Sequence, residues 1–508
     1  MNEKETMAVR GMIEARKALE GDPMLISHAA ACKRNEEFYL GHQWREGEGG
    51  ELTKPVFNLI RRISDYVIST LCAKEYSISY SLDGLPPEIA RDGRLRSAVD
   101  TLTRHIGNVY DREKLEKLLY DVVKDAVICG SGVFYTYWDA GRETGDAHTG
   151  GICTQAIDPA CIYPADPRNG DVQTQEFFIV KTGRSVEAVK REAAAHGVGK
   201  QDLGRISADG GRAEVTLMLY RGDDGRIYYK KECCEVLIAE GCTGLTLYPI
   251  AVFTPTSKKN SFFGEPLVTG MIPNQQYVNR SYCMLMKHMQ DTAFSKVIYD
   301  KTRIPEWTGE PGIAIGAHGG GNLADAVAVV GCGDLSDGYA ELSREVIELT
   351  RELHGATDAA LGNVDPKNSS AILAAKESAI GILRGSVSLL ASAIEDQARI
   401  WADVICTRYG RGRFVPLGSG EGTREIDFGA VRQALLSCRV EVSDEGKYGT
   451  AVSLSVLDRL LECGAITVTQ YLTRLPRGII PKREELIREI CEGAGLAENE
   501  GKEDETNG

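Results

Sequence analysis

The large apolar residues Val278, Tyr282, Leu285 and Met289 recur at steps of four, three and four, which places them on one face of a helix. Asn279, Arg280, Lys287, His288, Gln290 and Asp291 fall on its other flanks. Pro266 suits a first helical turn, where its missing N–H costs nothing. Pro273 sits farther in and predicts either a kink or a restart after Ile272. A longer seam runs through Ile380, Leu383, Val387, Leu390, Ile394, Ala398, Trp401 and Ile405. It predicts a helix from Ala371 to Tyr409, about 60 Å long at ~1.5 Å per residue. Gly381 and Gly385, one turn apart, mark its expected bend, and Ser369 or Ser370 is placed to cap it.

The rest of the chain divides by period. The first forty residues predict two helices broken at Gly21-Asp22-Pro23, with Asp22 capping the second. VFNLIRRISDYVISTL keeps helical spacing, and KEYSISYSL alternates strictly and reads as a strand. Pro86 to Cys129 is helical and charged, and Gly130-Ser131-Gly132 ends it. Between Val133 and Pro255 come short β-rich runs separated by turns, with one helix between Ser185 and Gly197. This is an α+β module built on antiparallel strands. Ser295 to Asp337 is glycine-rich with alternating valines and alanines, and predicts short strands joined by tight turns. Asp337 to Asp358 reads as a further helix, RYGRGRFVPLGSGEGTREIDFG as a loop or hairpin, RVEVSD as a strand, and two or three helices follow. The final stretch, 492–508, is acidic and polar, a composition expected to stay disordered.

Composition narrows the function classes. The chain has 508 residues, 43% hydrophobic and 26% charged, enough for a sizeable core. No window approaches the ~20 apolar residues of a membrane helix, and the charged N-terminus lacks an apolar signal core, so a cytoplasmic product is expected. The net charge of −14 argues against tight wrapping of DNA, which needs a basic footprint, yet is compatible with a pore through which DNA slides. Fourteen cysteines include no C-x-x-C pair, so they read as reduced core thiols, with no metal site expected. There is no P-loop, H-E-x-x-H or G-x-S-x-G, so no catalytic residue and no cofactor is assigned.

Three stretches carry a family resemblance. They are FYLGHQWREGEGGELTKPVFNLIRRISDYVISTL from Phe38, the strand-to-helix passage YPIAVFTPTSKKNSFFGEP with IPNQQYVNRSYCML and AFSKVIYDK, and GNVDPKNSSAILAAKESA from Gly362. In this order they resemble the portal (head–tail connector) proteins of tailed bacteriophages. The resemblance implies an α+β portal-like fold with long stem helices, a kinked wing helix, an antiparallel β-rich wing and a small β-containing clip. On it, 1–262 would be N-terminal helices and wing, 263–294 the first stem helix, 295–336 the clip and 337–360 the second stem helix. The tunnel loop would be 361–370, the long wing helix 371–410, and the crown-side region 411–491.

The same resemblance implies a non-enzymatic ring at one capsid vertex, twelve-fold in mature members. A separate terminase packages viral DNA through its channel. The implied partners are further copies of the chain, the terminase large subunit, capsid and scaffolding proteins, a head–tail adaptor, and double-stranded DNA passing without sequence specificity. No membrane is involved, and the protein would reside in the virion after assembly in the host cytoplasm. Lys367, Asn368 and Ser369 of the tunnel loop, with Arg351 and Lys287 on the stem helices, would face the DNA. The alternative is another virion or scaffold component without a channel. The two stem segments carry opposite charge: six acidic against two basic residues over Asp337–Asp358, four basic against two acidic over Val278–Lys301. Such faces suit packing between subunits or, equally, a solvated surface.

Overall fold

The computed structural model describes residues 3–45, 53–82, 86–143, 149–207, 209–292, 296–307, 316–330, 337–358, 381–409, 414–416, 423–425, 437–444 and 447–475, with short pieces between 480 and 490. In chain order the helices and strands begin with α1 (Glu3–Glu20), α2 (Pro23–Leu40), α3 (Leu59–Cys72), β1 (Lys74–Ser81), α4 (Pro87–Ala90), α5 (Gly93–Arg112) and α6 (Leu115–Cys129). The β-rich region supplies β2 (Gly132–Asp139), β3 (Gly151–Ile157), β4 (Ile162–Pro164) and β5 (Phe177–Ser185). It continues with α7 (Val186–Ala195), α8 (Lys200–Arg205), β6 (Arg212–Arg221), β7 (Ile227–Cys233), β8 (Val236–Cys242) and β9 (Ile250–Phe253). Then come α9 (Leu267–Thr292), β10 (Lys296–Tyr299), β11 (Val327–Val330), α10 (Asp337–Leu353) and α11 (Arg384–Arg408). The chain closes with β12 (Phe414–Pro416), β13 (Thr423–Glu425), β14 (Ser437–Asp444), α12 (Lys447–Glu462) and α13 (Val468–Arg474). Every strand pairing is antiparallel, so the architecture is α+β.

The residues fall into two compact units. The first comprises 1–33, 66–267 and 383–508, and the second 34–65 and 268–382. In the first unit β4 to β8 form a five-stranded meander, β3, β2 and β9 a three-stranded sheet, and β1 pairs with β14. The seam of α11 was legible in sequence: Leu390, Ile394, Ala398, Trp401 and Ile405 are all buried, against α5, α6 and the three-stranded sheet. Trp401 Nε1 donates to Thr154 Oγ1 at 2.9 Å, and Gln397 Nε2 donates to Thr136 Oγ1 at 2.6 Å. The stop after α6 has a steric cause. A Cβ on Gly132 would lie 2.0 Å from the Val122 carbonyl oxygen, and Gly130 adopts φ +92°, so neither position accepts a side chain. The caps expected at Asp22 and Ser185 form: Asp22 Oδ1 accepts from Met24 N at 2.8 Å, and Ser185 Oγ from Ala188 N at 3.3 Å.

Four expectations need correction. Helix α9 continues unbroken through Pro273, so there is no restart after Ile272. Helix α10 stops at Leu353 rather than Asp358, because Gly355 takes φ +72° and its turn closes with Ala356 N donating to Arg351 O at 2.9 Å. The stretch Pro86–Cys129 divides at Glu113–Lys114, where Lys114 adopts φ 50°. On α9 the flank assignment of Asn279 was wrong: it is buried, whereas Met289 on the expected apolar face is 61% exposed. Residues 359–380, including the tunnel loop and the expected first turns of the long helix, lie outside the described residues. Helix α11 itself starts at Arg384, after a turn at Ile382–Leu383 that falls between Gly381 and Gly385.

Candidate functional site

The second unit is organised by a buried amide cluster on α9. Gln275 and Asn279, one helical turn apart, are 0% and 2% exposed. Gln275 Oε1 accepts from Leu59 N at 2.8 Å and Ile60 N at 3.2 Å, the first amides of α3, which have no partners within their own helix. Its Nε2 donates to Phe57 O at 2.8 Å and to Asn279 Oδ1 at 2.9 Å. Asn279 Nδ2 donates in turn to Gln43 Oε1 at 2.7 Å, and Gln43 Nε2 to Phe38 O at 2.9 Å and Asn58 Oδ1 at 3.2 Å. Asn58 also caps α3, accepting from Arg61 N at 3.0 Å. Neutral amides satisfy one another here without a buried charge, and each donor left without its partner would cost about 1–3 kcal/mol. The Gln43-Trp44 phrase and the IPNQQYVNRSYCML phrase are thus in direct contact through Gln43 and Asn279.

Helices α9 and α10 run side by side in opposite directions. Asn274 Nδ2 donates to Thr350 Oγ1 at 2.9 Å, and at the other end Tyr339 Oη donates to Ser281 Oγ at 3.5 Å and Met284 Sδ at 3.4 Å. Between them in sequence, β10 pairs with β11 in the register Lys296↔Val330 to Tyr299↔Val327. Helix α10 exposes Glu341, Glu345, Glu348 and Glu352 together with Leu342, Leu349 and Leu353, and α9 exposes Arg280, Met284 and Lys287. Of the residues expected to face DNA, Lys287 is on this exposed face of α9. Arg351 is engaged at the end of α10: its Nε donates to Ala356 O at 3.3 Å and its guanidinium pairs with Asp358. Lys367, Asn368 and Ser369 lie outside the described residues.

The first unit holds a cavity of about 710 Å³ between its two larger sheets, lined by Tyr135, Tyr137, Leu217 and Tyr229 among others. At its rim Glu192 accepts from Lys231 Nζ at 2.7 Å and pairs with Arg184. Burial opposes ionisation of Glu192, but these two cations hold its carboxyl below the usual carboxylate value. The residues lining it include no serine, cysteine or histidine. Among the described residues no group of three His, Cys, Asp or Glu side chains could hold a metal, and no helix is long and apolar enough to cross a membrane.

The amide cluster was missed in sequence. Its signal was there, since Gln275 and Asn279 flank Met271, Ile272 and Val278, all buried, but a polar residue next to an apolar stripe normally marks the solvent boundary. No protein-family model matches the chain, and no curated protein matches it.

Proposed function

We propose that the chain is a portal-type subunit, assembling into a ring whose axial channel passes double-stranded DNA at a capsid vertex. One observation carries this reading: α9, the antiparallel β10–β11 pair and α10 follow one another within a single unit, in the stem–clip–stem order of the family the sequence resembles. The tie between Gln43 and Asn279 supports it, because it joins two of the three stretches that carry the resemblance. In this reading Lys287, Arg351, Lys367, Asn368 and Ser369 line the path of the DNA, which they meet as phosphate contacts without base readout. Terminase, capsid and scaffolding proteins, and a head–tail adaptor are the partners, and the chain performs no catalysis of its own. A closed heterologous ring explains how one long chain makes a pore. End-on electron micrographs with light scattering of the purified protein test the proposal. Rings with a central hole are expected. Assemblies without a hole favour a virion or scaffold component, and a 55.3 kDa species at every salt overturns the ring.

A further inference from the structure

Two adjacent thiols meet at the tip of the β7–β8 hairpin, at a point the ring reading does not use. Cys233, the last residue of β7, pairs with Val236, the first of β8, so Cys234 and Glu235 form the turn between them. Neighbouring side chains on a strand point to opposite faces, which would hold adjacent sulfurs apart. Here Cys234 leaves the strand with φ 51°, and its sulfur comes back to 3.8 Å from Cys233 Sγ. Cys233 is 1% exposed, whereas Cys234 is open to solvent. Cys234 Sγ also donates to Ser207 O at 3.3 Å.

The turn keeps this geometry against the preference of its residues. Cys234 and Glu235 both take positive φ, 51° and 63°, in a two-residue turn whose usual occupants are asparagine and glycine. The surroundings enforce it: Glu235 N donates to Glu232 Oε1 at 3.0 Å, and Arg16 Nη1 holds the Glu232 carboxylate at 3.2 Å. The ladder is irregular just before, between Lys231 and Glu232, where a bulge re-aims the chain. Strain maintained by its surroundings, at a point that brings two thiols together, is a mark of function. Burial pushes Cys233 up to about 12, so it keeps its proton, and the exposed Cys234 is the thiol that an oxidant meets first.

We infer that Cys233-Cys234 is an oxidisable vicinal dithiol, in which exposed Cys234 reacts with hydrogen peroxide and buried Cys233 closes a disulfide onto it. The Cys234 thiolate attacks one peroxide oxygen, the O–O bond breaks, and the departing hydroxide takes up a proton as water, leaving a sulfenic acid. Cys233 sulfur then attacks Cys234 sulfur, the S–O bond breaks, and the oxygen leaves as water with the Cys233 proton. Peroxide is reduced to two waters, and the dithiol is oxidised by two electrons. Consecutive Cα atoms lie ~3.8 Å apart, below the ~4.4–6.8 Å that disulfides usually span, so the ring is strained and a small thiol reduces it again. The modification is reversible, and closing the ring takes Cys234 Sγ off Ser207 O. This goes beyond the ring reading and does not depend on it.

Hydrogen peroxide on the folded, full-length Cys242→Ser protein, followed by trypsin and tandem mass spectrometry, tests the site. That substitution removes the third cysteine from the tryptic peptide that carries the pair. The expected product is this peptide short of two hydrogens, with no fragmentation between Cys233 and Cys234, and dithiothreitol should restore it. Adding Cys233→Ser should instead accumulate a Cys234 sulfenic acid that dimedone traps, and adding Cys234→Ser should leave Cys233 unmodified. Dimedone on Cys234 while Cys233 is still present, linkage of either thiol to a different cysteine, or no trapped Cys234 in the Cys233→Ser protein overturns the inference.

Discussion

One buried site in each unit holds its polar groups by opposite means. In the first, Glu232 is 1% exposed on β7 and is held by Arg16 of α1, whose Nη1 lies 3.2 Å from its carboxylate, with Glu235 N donating to it at 3.0 Å. In the second, Gln43, Gln275 and Asn279 do comparable work with no charge at all. An ion pair in low dielectric is strong but depends on both partners, whereas an amide cluster spreads its dependence over many weak bonds. The contrast teaches where each unit is fragile. Charge makes the first sensitive to loss of one side chain, and shared donors make the second sensitive to geometry.

The sharpest way to break the comparison is Arg16→Met. It leaves the Glu232 carboxylate buried without its cation and should cost about 3–5 kcal/mol in denaturant unfolding. A loss below about 1 kcal/mol would mean water reaches Glu232 and the two units do not differ. Next comes Gln275→Ala, which strands the amide of Ile60 and takes the side-chain donor from the Phe57 carbonyl and the Asn279 carbonyl, at about 2–4 kcal/mol. Replacing Gln43, Gln275 and Asn279 together with apolar residues should cost less than the three single changes summed, because paired polar groups then disappear together. Additive losses would show that the cluster is not one unit.

Two smaller effects sharpen the contrast. Glu192 has a depressed carboxyl, so its contribution is present above the ordinary carboxylate value of 4.5 and fades as pH falls through its lower folded value. Glu192→Gln should therefore flatten the acid limb of stability below about pH 4.5, by about 1 kcal/mol or less. Urea melts at stepped pH read this directly, and Gln275→Ala should leave the same limb unchanged. Last, and of opposite sign, Gly381→Ala with Gly385→Ala meets no neighbour within 4 Å and favours regular helix by up to about 1 kcal/mol each. Monomer stability should hold or rise while ring assembly or DNA packaging falls, and normal DNA-filled particles would show the bend to be dispensable.

What was legible in sequence was whatever a local period reports. The strand runs from VFYTYW to YPIAVFTP each became a strand, and the α11 seam became core, because alternation and helical spacing are properties of neighbours along the chain. Gln275 failed this test since its partners at Leu59 and Gln43 are remote: the Gln275–Leu59 bond spans 216 residues and Asn279–Gln43 spans 236. The restart expected after Ile272 failed differently. The lost hydrogen bond at one residue was outweighed by the packing of Met271, Ile272 and Val278, all buried, on either side of it. The role given to Arg351 came from the resemblance, and nothing in its flanking residues announced that its side chain would also bond back to its own helix end.

The pairing of β1 with β14 has a consequence for how the chain is made. Lys74 is opposite Asp444 and Ser81 opposite Ser437, so a strand synthesised early waits for a partner synthesised near the end. At ~5–20 residues per second, the roughly 360 residues between Ser79 and Arg439 take about 20–70 s to emerge. Throughout that interval the ribosome carries a β1 whose edge has no mate, beside α5, which is already complete. An unpaired edge in that state is open to pairing with another chain, and a chain truncated before Ser437 should aggregate rather than give a smaller version of the same fold.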